Sequence, residues 1–215
     1  MALELLHATR YTLKMLILTP DDLTHSDVEA IAARRDCVVA VGAGELRGGA
    51  LAAALHSDFL ALDQDATVRF PTQDSGVRTQ DFPAIWSGAI GRIGQDVLRL
   101  FLLSGELLTA GNAVRAGLAD AVVPAGKDPL EWIREWLAGR STAALDSAAA
   151  LIRQRGGDGL ERAEFARLFA TGEPQEGLMA FLAKRRADFR REITGLRGEN
   201  ASPARDETIA KPEKR

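Results

Sequence analysis

Two adjacent glycines, Gly48 and Gly49, are the residues of this chain whose position first suggests chemistry. The apolar run before them, CVVAV at 37–41, has the length and β-branched content of a buried strand, and ALAAAL at 50–55 consists of strong helix formers. A helix beginning at the glycines would direct its free N–H groups and positive dipole end at a bound group. A carbonyl oxygen that gains negative charge during a reaction is a suitable guest. The alternative is that the glycines only allow a sharp turn and close packing.

The elements that must position this turn mix strands and helices in the first half of the chain and are helices alone in the second half. The patterns predict strands at 11–18, 37–41, 59–62, 67–70 and 121–123. They predict helices at 27–34, 50–55, 85–103, 109–116, 128–137, 142–153, 160–170 and 174–193. Residues 71–83 are polar, contain two prolines and are predicted to form a loop.

Individual residues sharpen some of these elements. Thr109 is the predicted N-cap of the short helix that follows it, and Gly117 is predicted to end that helix. Trp132 and Trp136 are four residues apart and therefore share one helix face, which predicts core packing.

Composition excludes several classes of protein. The chain has 215 residues, 46% of them hydrophobic, so it can form a real core. Its net charge of −3 argues against binding to nucleic acid. Cys37 is the only cysteine, and its apolar surroundings predict an inert buried thiol. His7, His25 and His56 lack metal-ligand spacing, so no metal site is expected.

Location follows from the absence of targeting patterns in this sequence. The first residues do not combine a basic stretch with a hydrophobic one, so no leader is expected. No apolar run approaches the roughly 20 residues needed to span a bilayer, so no membrane contact is expected. The default expectation is a cytoplasmic protein.

Three stretches resemble the crotonase, or enoyl-CoA hydratase/isomerase, superfamily. VVAVGAGELRGGALAAALHSD, at 38–58, is similar to the family's strand, glycine turn and helix. LRLFLLSGELLTAGNAVRAGLADAVVP, at 98–124, is similar to its "LTG…SA…A…GLV…VVP" signature and is the most specific of the three. EFARLFATGEPQEGLMAFLAKRRADF, at 164–189, resembles its C-terminal "EG…AF…KR…F" segment. The stretches occur in the family's order, which makes chance similarity a poor explanation.

The resemblance implies an α/β fold, a spiral of ββα units followed by a helical C-terminal region. It divides the chain into a shortened core at 1–125 and a helical region at 126–197 for trimerisation and coenzyme A contact. The polar residues 198–215 are expected to be a disordered tail. The implied assembly is a homotrimer or hexamer, and a partner enzyme in a biosynthetic pathway is a further expectation.

The implied ligand is an acyl thioester of coenzyme A or of a carrier protein, with no tightly bound cofactor. Two backbone N–H groups in the family stabilise the enolate of the thioester, and Gly49 matches one of these donors. Gly48, Phe181 and Lys184 match positions that contact the coenzyme A part of the ligand. Asp74 matches the glutamate of the family's "FGxPE" motif and keeps a carboxylate, although it also suits a solvated loop.

The departures from the family are as informative. The first glutamate of the hydratases corresponds to Ala52, which has no acid–base chemistry. The segment that usually carries the second oxyanion donor, after the strand ending at residues 16–19, is missing, and Pro20 has no N–H to donate. The family's "PGxGG" loop is replaced by DFPAI at 81–85.

These residues leave three functional hypotheses. The first is an enzyme that uses one carboxylate, Asp74, for isomerisation, decarboxylation or hydrolysis rather than two-glutamate hydration, which needs two proton-transferring groups. The second is a catalytically degenerate acyl-CoA-binding or auxiliary subunit. The third is a structural trimer with an empty pocket. Incubating an acyl-CoA with the pure protein separates the first two, since one changes the ligand and the other only binds it.

Overall fold

The computed structural model describes residues 14–18, 28–29, 31, 33–34, 36–71, 82–154 and 156–189. Its strands are β1 (Lys14–Leu18), β2 (Val38–Gly42), β3 (Glu45–Leu46), β4 (Phe59–Asp63), β5 (Thr67–Val68), β6 (Leu108–Thr109) and β7 (Ala121–Val123). Its helices are α1 (Gly48–Leu55), α2 (Phe82–Ser104), α3 (Ala110–Arg115), α4 (Pro129–Leu137), α5 (Thr142–Arg153), α6 (Asp158–Phe169) and α7 (Glu173–Leu182). No helix in this part of the chain has both the length and the apolar character to cross a bilayer.

The strands form two sheets in which spatial order follows chain order. The larger sheet is parallel throughout, in the order β1-β2-β4-β7. The smaller sheet has the order β3-β5-β6, with β3 and β5 parallel and β5 and β6 antiparallel. The segments β2-β3-α1 and β4-β5-α2 each place one strand in each sheet and then a helix. The chain therefore advances in one direction as a spiral of ββα units.

Two aspartates repeat the same contact at successive turns of this spiral. Asp58 accepts a hydrogen bond from the Val38 N–H at 2.8 Å and donates its own N–H to the Val38 carbonyl, also at 2.8 Å. Asp120 makes the same exchange with Leu60, at 2.7 Å and 2.8 Å. Each aspartate directly precedes a strand and fixes it to its neighbour. The aspartate that ends the glycine-rich stretch thus has a structural role.

The main core lies around α1. Seven of its eight residues are buried, because small alanines allow neighbouring elements to approach closely. One close approach is at Gly88 of α2, where an added Cβ would lie 2.7 Å from the Leu55 Cβ. This contact admits no side chain, so Gly88 serves the packing of α2 on α1.

A second cluster covers the opposite face of β2. Val38 and Ala40 face the α1 side, whereas Val39 and Val41 pack with Ile133 of α4 and its neighbours. Such two-sided burial explains the continuous apolar sequence of this strand. Trp132 is partly buried against this cluster, as predicted.

Trp136 lies at the edge of this second cluster and is only partly covered. Its ring stacks on Phe59 at 4.4 Å between centroids, and the Arg140 guanidinium lies 4.5 Å from the ring centroid. The Trp136 side chain nevertheless remains 39% exposed, so the predicted core packing holds for only one face of its ring.

Most predicted elements are present, with differences at their ends. Thr109 caps α3 through its side chain, which accepts from the Asn112 N–H, and β7 spans the predicted residues. The long helix α2 begins at Phe82 and is interrupted at Gly94, whose φ of 74° is not helical. Residues 1–13, most of 19–35, and 72–81 lie outside the described part, as does 190–215 with the predicted tail. The division of the chain near residue 125 stays a prediction.

The last helix is shorter than its apolar pattern predicts. It ends at Leu182 instead of continuing to residue 193, because Lys184 adopts a left-handed conformation with φ of 52°. The Arg185 N–H then donates to the Ala180 carbonyl at 3.0 Å, and the Lys184 N–H to the Phe181 carbonyl at 3.1 Å. These two bonds form a Schellman motif, which usually has glycine at the left-handed position.

Candidate functional site

The predicted oxyanion donor lies in the first turn of α1. The helix begins directly at Gly48, whose φ of 53° suits glycine, and Gly49 is buried behind it. The extended residue Arg47 occupies the N-cap position without a side-chain hydrogen bond to the helix. The first helical bond runs from the Leu51 N–H to the Arg47 carbonyl, at 3.2 Å.

Within the described part of the chain, three N–H groups at this terminus have no acceptor. Among the described residues, none accepts a hydrogen bond from the N–H of Gly48, Gly49 or Ala50. Together with the positive end of the helix dipole, such groups can stabilise a developing negative charge. The geometry of the terminus is thus compatible with both interpretations of Gly48 and Gly49, as a sharp turn and as a donor to an oxyanion.

The turn before α1 is fixed to the smaller sheet. The Thr67 N–H donates to the Gly44 carbonyl at 2.9 Å, and the Arg69 N–H donates to the Leu46 carbonyl at 3.0 Å. The Arg69 side chain also donates two hydrogen bonds to the Glu45 carboxylate, from Nε to Oε1 at 2.9 Å and from Nη2 to Oε2 at 3.0 Å. The hydrogen bond from Arg69 lowers the pKa of Glu45, so this residue is a carboxylate at neutral pH.

The other end of α1 is held by α2 through Arg92. Its Nε donates to the Leu55 carbonyl at 3.1 Å and its Nη2 to the Ser57 carbonyl at 2.7 Å, which satisfies carbonyls at the helix C-terminus. Its Nη1 reaches the Asp120 carboxylate at 3.2 Å. The His56 ring adds a contact to the Ala84 carbonyl at 3.0 Å. Both ends of α1 are thereby anchored.

Ala52 is completely buried inside the main core. The position that carries a glutamate in hydratases is thus occupied here by a methyl group packed among other apolar atoms. Within the described chain, the helix that provides the candidate donor contributes no acid–base group from this position.

Two parts of the predicted site lie outside the described residues. Asp74, the predicted catalytic carboxylate, is in the segment 72–81, which the structure leaves undescribed after Pro71. The same applies to Pro20 and the surroundings of the missing donor segment. The catalytic role of Asp74 stays a prediction.

Phe181 and Lys184 lie in the C-terminal helical region and face solvent. Phe181 is 79% exposed, and Lys184 is exposed just beyond the end of α7. Among the bonds, ion pairs and ring contacts of the described residues, none joins either residue to Gly48 or Gly49. Within the described residues, the predicted thioester and coenzyme A contacts are thus not in direct contact with each other.

The segment after α7 is itself well anchored. Glu176 accepts two bonds from the Arg185 guanidinium, at 2.6 Å and 2.9 Å, and one from the Asp188 N–H, at 2.8 Å. These contacts hold the turn in which Lys184 lies. Glu176 and Arg185, which lie in the C-terminal segment that resembles the family's, thus have a structural function.

The described residues offer no centre for metal or thiol chemistry. They contain no group of three His, Cys, Asp or Glu side chains arranged to hold a metal ion. Cys37 is buried, and desolvation raises the pKa of its thiol to about 12, with the nearby Asp58 and Asp146 adding to the effect. The predicted burial of the thiol is confirmed, and its raised pKa favours the predicted inertness.

Sequence reasoning missed the groups that position α1. Arg92 and the Glu45–Arg69 pair join residues more than twenty positions apart, and nothing in a local pattern shows such contacts. The one available signal was Glu45 itself, a charged residue in a glycine-rich turn.

Comparison with known proteins gives a consistent group of relatives. No protein-family model matches the chain. A probable enoyl-CoA hydratase of Rhizobium meliloti (strain 1021) is 30% identical over 176 residues, which are 75% of this chain and 65% of the relative. The 2,3-dehydroadipyl-CoA hydratase of Escherichia coli (strain K12) is 36% identical over 110 residues, which are 47% of this chain and 43% of the relative. The chain thus spans less than two thirds of either relative.

Solved structures share the fold over about three quarters of this chain. An enoyl-CoA hydratase/isomerase family protein from Hyphomonas neptunium has a TM-score of 0.59 at 27% identity, covering 75% of this chain and 64% of that one. An enoyl-CoA hydratase from Polaromonas sp. JS666 has a TM-score of 0.61 at 25% identity, covering 76% of this chain and 66% of that one.

Proposed function

This chain belongs to the crotonase, or enoyl-CoA hydratase/isomerase, superfamily and has its fold, and we propose that it binds an acyl thioester of coenzyme A or of a carrier protein and stabilises the enolate of that thioester. The observation that carries this proposal is the start of α1, where the N–H groups of Gly48, Gly49 and Ala50 have no acceptor among the described residues. The proposed donor is the Gly49 N–H, at the position that matches the family's donor.

The proposed chemistry uses one carboxylate. Ala52 is buried and has no proton to exchange, so a mechanism with two glutamates is not supported on this helix. Asp74 is the proposed acid or base, in isomerisation, decarboxylation or hydrolysis of the thioester. An apolar pocket would raise the pKa of Asp74 by desolvation, which suits a base working near neutral pH.

Assembly is part of the same proposal. Large apolar side chains of α6 and α7 are exposed in the single chain, namely Phe165, Phe169, Leu178, Met179, Phe181 and Leu182. We propose that a second and third copy cover part of this surface in a homotrimer or a hexamer, with the core at 1–125 and the assembly region at 126–197. Phe181 and Lys184 would then contact coenzyme A, and no tightly bound cofactor is needed.

A second candidate function is a catalytically degenerate acyl-CoA-binding or auxiliary subunit. The observation in its favour is again Ala52, because an apolar residue in the tightly packed core replaces an acid there. In this alternative the donor and the coenzyme A contacts are retained for binding, and no bond is made or broken.

The test begins with binding. Thermal unfolding is measured with acetyl-CoA, malonyl-CoA, 3-butenoyl-CoA and crotonyl-CoA, and with free coenzyme A as reference. A thioester at 100 times its Kd should stabilise the native protein by about 2.7 kcal/mol. Lys184→Ala should reduce the shift by removing a charge from the phosphates. Lys127→Ala, at another exposed lysine, should leave it unchanged. No shift with any thioester would refute the acyl-thioester proposal.

The same thioesters are then incubated with the protein and analysed for products. Asp74→Asn retains size and polarity but removes the proton acceptor, so turnover should fall roughly 100-fold or more. Binding, measured by the thermal shift, should remain. Normal turnover in the Asn variant removes Asp74 from the mechanism, while binding without turnover in the unmodified protein favours the auxiliary subunit.

A further inference from the structure

The contact between Glu45 and Arg69 joins the two segments on which the proposed chemistry depends. Glu45 opens β3 in the turn just before Gly48, while Arg69 directly follows β5 in the segment leading toward Asp74. The two side chains meet in a bidentate pair, with distances of 2.9 Å and 3.0 Å. We propose that Glu45 and Arg69 are a positioning pair that fixes the turn before Gly48 to the smaller sheet and thereby orients the Gly49 N–H. This inference rests on the proposed function.

Only a short backbone ladder joins β3 to β5. The strands β3 and β5 have only two residues each, and their register pairs Glu45 with Thr67 and Leu46 with Val68. A bidentate arginine–carboxylate contact adds two parallel hydrogen bonds with a defined plane and direction. The side chains therefore provide orientation that so short a ladder lacks.

The contribution of the Glu45–Arg69 pair to stability is too small to explain its presence. The side chains of Arg69 and Glu45 are 39% and 33% exposed, and solvent screening leaves such pairs with little net contribution to stability. Position matters more in a catalytic site, where a shift of about 1 Å can cost on the order of 100-fold in rate.

The test uses Glu45→Gln, Arg69→Gln and the charge swap Glu45→Arg with Arg69→Glu, all in the full chain. The control is Asp96→Asn, which breaks an exposed ion pair with Arg99 on α2, of 3.3 Å in length. For each protein we would measure the thermal midpoint, amide hydrogen exchange in residues 44–50, and kcat and KM on the thioester that the unmodified protein turns over best.

Each single variant should lower kcat by roughly 10- to 100-fold with KM nearly unchanged, because orientation is lost rather than binding. Exchange in residues 44–50 should accelerate, and the thermal midpoint should stay near that of the control. The charge swap should recover part of both losses because the two side chains act as a pair, while a loss of kcat at an unchanged thermal midpoint separates positioning from a merely structural role.

Unchanged exchange in both single variants overturns the inference, as does unchanged kcat. Losses in the swap that equal those in the singles also overturn it, because the side chains would then act separately. If the unmodified protein turns over none of the thioesters, the proposed enzymatic function fails, and faster exchange with recovery in the swap still supports the positioning role.

Discussion

The helices α1 and α7 are both largely apolar, yet they have opposite environments. In α1, GGALAAAL, seven of eight residues are buried, and none of its apolar side chains is exposed. In α7, EPQEGLMAFL, only Ala180 is buried, while four large apolar side chains are between 59% and 79% exposed. Apolar content therefore does not decide burial within one chain.

The difference lies in the size of the residues and in their neighbours. Alanines in α1 let β2 and α2 approach closely, and that core is complete within a single chain. The neighbouring helix α6 has no buried residue, and α7 adds Leu178, Met179, Phe181 and Leu182 to the exposed surface. A patch of this kind on a folded protein commonly marks an interface. The core around α1 is buried within one chain, whereas α6 and α7 present an exposed apolar surface, which the proposed homotrimer or hexamer would cover.

The same substitution in both helices gives the largest contrast. Leu51→Ala removes a fully buried side chain of α1 and should lower the free energy of unfolding by about 2–5 kcal/mol. Leu182→Ala, at a position 67% exposed, should change it by less than about 0.5 kcal/mol at protein concentrations where the chain is monomeric. Urea unfolding monitored by circular dichroism measures both.

Protein concentration sharpens this comparison. If other copies cover α7, the effect of Leu182→Ala grows as concentration rises, and light scattering shows weaker association of the variant. A small loss for Leu51→Ala, or equal losses at the two sites in the monomer, would contradict the distinction between the two helices.

A second contrast concerns close approach along α2. Gly88→Ala places a methyl group 2.7 Å from the Leu55 Cβ, and overpacking of this kind costs about 1–3 kcal/mol. Gly91→Ala meets no atom within 4 Å and should stabilise the protein by about 0.4–1 kcal/mol, since alanine restricts the unfolded chain. Thermal unfolding of the two variants should therefore shift in opposite directions. A stabilised Gly88→Ala variant would show that α1 and α2 are packed less closely.

Local patterns predicted the elements better than their junctions. The strand at 37–41 and the helix around 50–55 follow from composition, and the cap at Thr109 follows from one side chain. The predicted end of the last helix, at residue 193, was wrong, because Lys184 takes a left-handed conformation. A sequence signals that conformation at glycine but not at lysine. The start of α1 at the two glycines was predicted from the sequence, whereas the anchoring of its other end by Arg92 depends on contacts between distant segments that no local pattern encodes.

The core and the C-terminal helical region are also joined by polar contacts. Asp146 of α5 accepts a hydrogen bond from the Cys37 N–H at 2.7 Å, just before β2. Arg153 of the same helix lies 3.4 Å from Asp58 and donates to the Asp36 carbonyl at 3.1 Å. The first C-terminal helices are thereby joined to the central strand of the core, unlike the exposed α7.

The last prediction tests the charge at this junction. Desolvation raises the pKa of Asp146, with Asp36 adding to the shift while the Cys37 N–H, Arg167 and Arg153 oppose it. Above its unfolded pKa of about 3.8, the folded protein holds the proton more tightly, so stability falls as pH rises through this window. Asp146→Asn removes the ionisation but keeps the acceptor, and it should therefore gain stability relative to the unmodified protein between pH 4 and pH 7. Asp146→Ala should instead lose about 1–3 kcal/mol at every pH, because the Cys37 N–H is left without its acceptor. Urea unfolding across this pH range measures both variants, and an Asn variant that becomes less stable than the unmodified protein as pH rises would mean that the carboxylate charge strengthens the junction.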